Sequence, residues 1–218
     1  MKKIITVVQK KGGATKTTTS MNLGGVLMSL GYTVCIADMD YEQQSAYKWQ
    51  KRGRDFFDVV SVVSEKQLKE YIANIKEVDF IIIDTPPEFL AASVKASLLS
   101  DLIIVPCPPS QLDLESAQET VELAETMKKE FRLLACNVKT GTTIGKEFPK
   151  TLSRVGKVFN TVIHHRISMV EAAMYGTWIG AYEPKGRGRF EYQELAREIL
   201  KIMGVKKHEK KNLILIFR

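Results

Sequence analysis

Residues 9–20 read QKKGGATKTTTS, placing the glycine pair Gly12-Gly13 shortly ahead of Lys16-Thr17. Paired glycines free backbone N–H groups to face a phosphate, and the N-terminus of a following helix adds partial positive charge. A lysine at position 16 can then reach β- and γ-phosphates, and the Thr17 hydroxyl can take a Mg²⁺ position. The common phosphate loop, GxxxxGK[ST], has a glycine just before its lysine, where this chain has Thr15. If the backbone there needs positive φ, a β-branched threonine is strained. Lys10 and Lys11 precede the glycines, where such a loop needs no charge. A GG…KT string alone also suits a surface turn. The apolar run before it and the helical pattern after it favour a nucleotide site.

Three later stretches carry carboxylates or turn chemistry. Asp38 and Asp40, in ADMD, are two residues apart; at a strand end they can reach a Mg²⁺ and its waters or orient a water, and they also suit a turn with an acidic helix cap. Asp84 ends the apolar run FIIID, as an outer-sphere Mg²⁺ ligand beside a phosphate loop requires. In PCPPSQLDLESA, Ser110 and Asp113 have capping-box spacing, which suffices to explain them. The rigid prolines of that loop, Pro109 among them, could also hold it against a nucleotide base.

These groups need a scaffold that brings strand ends together. Short β-rich runs at 3–8, 33–38, 58–63, 79–84, 101–106, 132–138 and 157–163 alternate with helical patterns at about 16–30, 65–76, 89–99, 111–130 and 189–203. Several runs are apolar without alternation, as strands covered on both faces must be. The expected fold is a single-domain α/β structure over residues 1–218, with a mostly parallel twisted sheet of about seven or eight strands and helices on both faces. Functional groups should lie at the carboxyl ends of the strands.

The bulk composition, 44% hydrophobic and 26% charged over 218 residues, is that of an ordinary globular protein. The net charge of +7 is uneven: residues 1–150 hold 19 Lys/Arg and 19 Asp/Glu, residues 151–218 hold 13 and 6. A basic C-terminal third suggests a polyanion or a membrane surface, and solvated lysines account for it equally well. Cys35, Cys107 and Cys136 are odd in number and lack CxxC spacing, as reduced structural thiols would be. The N-terminal apolar run is too short for a signal sequence, and no stretch approaches the roughly 20 apolar residues of a membrane span. A cytoplasmic location is expected.

Taken in order, KGGATKTT, DMD, IIIDTPP and VPCPPSQLDL resemble the ParA/MinD family of ATPases, whose variant loop reads KGGxxK[ST]. The C-terminal segments TVIHHRISMVEAAMYG and YEPKGRGRFEYQELAREIL look like those of ParA partition proteins. The resemblance spans nearly the whole chain and implies a P-loop NTPase fold with ATP and Mg²⁺ as cofactors. It implies a nucleotide site of Lys11, Gly12, Gly13, Ala14, Thr15, Lys16, Thr17, Thr18 and Pro109, and a metal held near Thr17, Asp38 and Asp84. Lys11 would cross to the phosphates of a second subunit in an ATP-sandwich homodimer. Asp40 is expected to be the hydrolysis-critical carboxylate, acting with Lys11 and Lys16. The dimer would bind DNA non-specifically, on the nucleoid, and a centromere-binding ParB-type adaptor would stimulate a slow hydrolysis to segregate a plasmid or chromosome. The DNA-contact candidates are Arg166, Lys185, Arg187, Arg189, Arg197 and Lys201.

The chain departs from the family pattern at Thr15 and at Tyr41-Glu42, which often reads Pro-Gln. The latter lies in the expected switch segment and bears on hydrolysis rate and its coupling to a partner. The main alternatives are a MinD-like membrane-associated positioning ATPase and a ParA-like protein that positions a protein cargo. The basic-then-apolar tail at 205–218 superficially suits a membrane, but its five consecutive apolar residues would spread around a helix, so membrane association is not expected. A cluster-carrier ATPase would need paired cysteines that are absent. A small-molecule kinase or ligase would need neither Lys11 nor the basic excess, and a nucleotide-gated DNA binder with decayed hydrolysis is a further reading. There is no room before residue 3 for a helix-turn-helix, so operator binding is not expected.

Overall fold

The computed structural model describes residues 2–53, 57–87 and 91–205. Six parallel strands form one sheet in the order β3-β2-β4-β1-β5-β6. They are β1 (Lys3–Val7), β2 (Val34–Asp38), β3 (Asp58–Ser61), β4 (Phe80–Asp84), β5 (Leu102–Cys107) and β6 (Phe131–Ala135). The unbroken apolar runs explain the topology, since all of β2, β4 and β5 is buried. Strands covered on both faces tolerate no polar alternation.

The expected seventh strand, 157–163, is absent. It runs beside β6 but makes only isolated bridges, Leu133 with Val158 and Val138 with His164. Between them the Glu198 carboxylate accepts the backbone N–H groups of Asn160 at 2.8 Å and Thr161 at 2.7 Å. Two consecutive amides drawn to one side chain cannot also continue a ladder.

The helices are α1 (Lys16–Ser29), α2 (Ser45–Arg52), α3 (Glu65–Asn74), α4 (Ala91–Leu99), α5 (Gln111–Thr126), α6 (Thr143–Leu152), α7 (Ile167–Met174), α8 (Ile179–Tyr182) and α9 (Arg187–Ile202). The helices expected from the sequence correspond to α1, α3, α4, α5 and α9, whereas α2, α6, α7 and α8 have no counterpart among them. Ser64 and Ser110 cap α3 and α5 by accepting backbone N–H bonds from Gln67 and Asp113. Such caps supply N–H partners that the first turn otherwise lacks.

Helix α1 lies between the sheet and the C-terminal helices, so Thr19 to Leu27 are all buried. Its small residues allow this. The indole of Trp178 lies against Gly25, where any added Cβ would collide with the ring. The Ile179 N–H donates to Asn22 Oδ1 at 2.7 Å in the same contact. One apolar cluster includes Ile5, Leu23, Trp178 and Leu195, so β1, α1, α8 and α9 share a core. This packing fixes the first turn of α1 over the ends of β1 and β4.

Candidate functional site

The register of the sheet brings the acidic strand ends together. Val7 and Asp38 are both cross-strand neighbours of Asp84, so β1, β2 and β4 end side by side. Beyond them the loop from β1 turns into α1. Gly13 has φ +76° and Thr15 has φ +62°, both left-handed. Thr15 therefore holds the conformation that glycine adopts without strain, and its hydroxyl donates to Cys136 Sγ at 3.1 Å.

A cleft of about 440 Å³ opens over this loop, lined by Gly12 to Thr18 with Asp40, Gln43, Ser45, Lys48, Trp49, Arg52, Thr85 and Pro87. Lys16 is 7% exposed and donates to the Lys11 carbonyl at 3.2 Å. Burial lowers its pKa, while the nearby Asp84 and Asp40 oppose that shift. Asp84 is buried and accepts from the Thr17 hydroxyl at 2.7 Å and the Ser20 hydroxyl at 3.0 Å. Burial, and then the Asp38 charge, push its pKa up to about 7. Asp38 accepts the backbone N–H groups of Asp40 and Tyr47, each at 3.0 Å, and burial raises its pKa as well. Asp40 accepts the Gln43 N–H at 3.0 Å and faces the cleft.

Two loop lysines turn away from this cleft. Lys11 pairs with Asp113 at 2.8 Å and Lys10 with Glu119 at 2.8 Å, both carboxylates on α5. Lys11 and Pro109 are not among the residues that line the cleft. Ser110 and Asp113 do form the expected cap, with the Asp113 N–H donating to Ser110 Oγ at 3.2 Å.

A family model described as an AAA domain matches residues 2–74. The sporulation initiation inhibitor protein Soj of Bacillus subtilis is 25% identical, over 91% of this chain and 98% of its own length. The maintenance of carboxysome distribution protein A of Halothiobacillus neapolitanus is 26% identical, over 88% and 92%. The fold matches that of the septum site-determining protein MinD of Pyrococcus horikoshii, in complex with Mg-ADP, at a TM-score of 0.75 and 21% identity, over 94% and 98% of the two chains. The chain is thus similar in sequence to Soj and in fold to MinD, along nearly its whole length.

Sequence reasoning missed several residues of the cleft. Lys48 and Arg52 stand one turn apart on α2 and line it with Trp49, whose Nε1 donates to the Thr177 carbonyl at 3.2 Å. The four-residue spacing of two bases just beyond Asp40 was the available signal. Gln9 gave no signal, yet it is buried and bonds α5 through both ends of its amide.

The DNA-contact candidates divide. Arg166 is bound on both guanidinium nitrogens by Glu191 at 2.6 Å, with its side chain 17% exposed. Arg197 pairs with Glu194, and Arg189 donates to the Pro184 carbonyl at 2.9 Å. Lys185, Arg187 and Lys201 are exposed and take part in no ion pair among the described residues. Most of the 205–218 tail lies outside the described residues. Among those described, no helix is long and apolar enough to cross a membrane.

Proposed function

We propose that this protein is an ATP-dependent partition ATPase of the ParA/MinD family: it dimerises on ATP, binds DNA without sequence preference and releases it on hydrolysis. The observation that carries the reading is the split between the loop lysines. Lys16 is buried beside Thr17, Asp40 and Asp84, whereas Lys11 lies outside the cleft lining, its side chain 38% exposed and paired with Asp113 on α5. One lysine serves the bound phosphates in cis and the other serves those of a partner.

In this reading the Gly12–Thr18 backbone cradles the phosphates and Lys16 neutralises their charge. Asp40, aimed at the cleft, orients the attacking water and accepts its proton. Thr17, Asp38 and Asp84 offer only hard oxygen ligands, which fit Mg²⁺. The described residues contain no cluster of three or more His, Cys, Asp or Glu able to cage a metal, so a Mg²⁺ here would draw most ligands from phosphate and water. When bound, the ion would supply charge neutralisation for the phosphates. The similarity to MinD in complex with Mg-ADP supports both ligands.

DNA contact falls to Lys185, Arg187 and Lys201, the candidates that are exposed and have neither an ion pair nor a side-chain hydrogen bond among the described residues. A ParB-type adaptor would stimulate hydrolysis and carry the plasmid or chromosome, which places the protein on the nucleoid in the cytoplasm. Retention on non-specific DNA tests this. Binding should require ATP, fail with ADP and decline steeply with salt. Equal retention with ADP would overturn it. The carboxysome-distribution relative, as similar as Soj, supports a second reading in which the cargo is a protein assembly. That reading shares the DNA requirement and differs in the adaptor that stimulates turnover.

A further inference from the structure

The ammonium of Lys11 is held by a built site. Asp113 Oδ2 lies 2.8 Å from it on the first turn of α5, and the Asp113 side chain is only 7% exposed. The Ser110 hydroxyl bonds the same carboxylate oxygen. Two residues before Lys11, the Gln9 amide fastens the chain to this helix. Its Nε2 donates to the Asp113 carbonyl at 3.2 Å, and its Oε1 accepts from Ser116 at 2.9 Å and Thr120 at 3.2 Å. The side chains of Gln9 and Lys11 are therefore both docked on α5, between Asp113 and Thr120.

A nearly buried carboxylate grips its cation because releasing it leaves a desolvated charge. Asp113 and the phosphates of a second subunit compete for one ammonium. We propose that Asp113 is a positioning residue that retains Lys11 on its own subunit and so raises the threshold for nucleotide-dependent dimerisation. The Ser110 bond lowers the cost of release, since Asp113 keeps one donor after Lys11 leaves. This inference rests on the reading of Lys11 as the residue that acts in trans.

The test is the protein concentration at half-dimerisation, measured by analytical ultracentrifugation of the full chain with a non-hydrolysable ATP analogue. Asp113→Asn is nearly isosteric and keeps the backbone cap to Ser110. It should lower that concentration about tenfold, a reasonable effect for a partly buried ion pair, with no dimer in ADP. In a Lys11→Ala background, which should not dimerise, the same change should restore no dimer, and a dimer regained there would show that Asp113 acts other than through Lys11 and overturn the proposal. Ser110→Ala, which leaves Lys11 as the remaining side-chain partner of Asp113, should move the midpoint upward. Asp113→Asn matching wild type, or both variants moving together, overturns the proposal. If Lys11→Ala alone dimerises like wild type, the trans role itself falls, a result distinct from failure of the Asp113 restraint.

Discussion

Gly53 and Gly176 meet backbone to backbone. A Cβ on Gly53 would fall under 3.0 Å from the Gly176 carbonyl, and one on Gly176 equally close to the Gly53 nitrogen. The contact joins the end of α2, which lines the cleft, to the turn between α7 and α8. Arg52 reinforces it by donating to the Ala173 carbonyl at 3.2 Å. The segment after Asp40 is thereby tied to the C-terminal third of the chain.

Replacing Gly176 tests that joint. Gly176→Ala introduces both a backbone collision and a side chain at φ +66°. Overpacking and left-handed strain together should cost roughly 2–4 kcal/mol in chemical denaturation. Gly204→Ala, which shares a positive φ but has nothing within 4 Å of the new methyl, should cost roughly 1–2 kcal/mol. Equal losses in the two variants would show that the close approach contributes nothing.

The strain at Thr15 gives a prediction of opposite sign. A β-branched residue at φ +62° costs roughly 1–2 kcal/mol, and glycine returns part of that through the greater entropy of its unfolded chain. Thr15→Gly loses the bond to Cys136 but should be neutral or stabilising by up to about 1 kcal/mol. Nucleotide affinity should persist, because Gly12, Gly13 and Lys16 are untouched. A loss of more than about 1 kcal/mol would mean that the Cys136 contact outweighs the strain.

Burial pushes the Cys35 thiol up to about 11 and the Cys136 thiol up to about 12, and raises Cys107 as well. Alkylation needs the thiolate, so near pH 8 the native protein should react with almost none of its three cysteines and the unfolded chain with all of them. The sign for stability follows. Thiols with raised folded-state values contribute stability below the unfolded value of about 8.5, and that contribution is lost as the pH rises toward 11. Denaturation midpoints should therefore fall between pH 8.5 and pH 11. Rapid labelling of a folded sample at pH 8 would contradict the burial.

Much of this architecture was legible because parallel strands buried on both faces must be apolar throughout, and FIIID and LIIVP could be little else. The phosphate loop was legible because glycines, lysine and threonine do local work at fixed spacing. Long-range pairing was not. Arg166 reads as a free base, yet its partner Glu191 is supplied by another helix. The run at 157–163 has strand composition, but Glu198 takes its amides. Helices α7 and α8 have no side-chain cap at their N-termini and are only 8 and 4 residues long, too short to establish a helical period. The direction of Lys11 depends on Gln9 and Asp113 meeting across the fold, which no local pattern records.

Asp40 offers the sharpest separation of chemistry from binding. The residue is 8% exposed and lines the cleft, and its carboxylate takes one backbone N–H among the described residues, from Gln43, so its remaining lone pairs are available to a water. Asp40→Asn keeps an oxygen for Gln43 and removes the base. Turnover should fall by about 10²- to 10⁴-fold, the usual contribution of a positioned general base. Binding should survive: ATP at a hundred times its Kd should still stabilise the variant by about 2.7 kcal/mol, as it does the wild type. Lys16→Ala should show the reverse order of loss, because it removes the cation that the phosphates meet first. Undiminished turnover in Asp40→Asn would remove Asp40 from the chemistry and leave Asp38, already occupied by two backbone amides, a poor substitute.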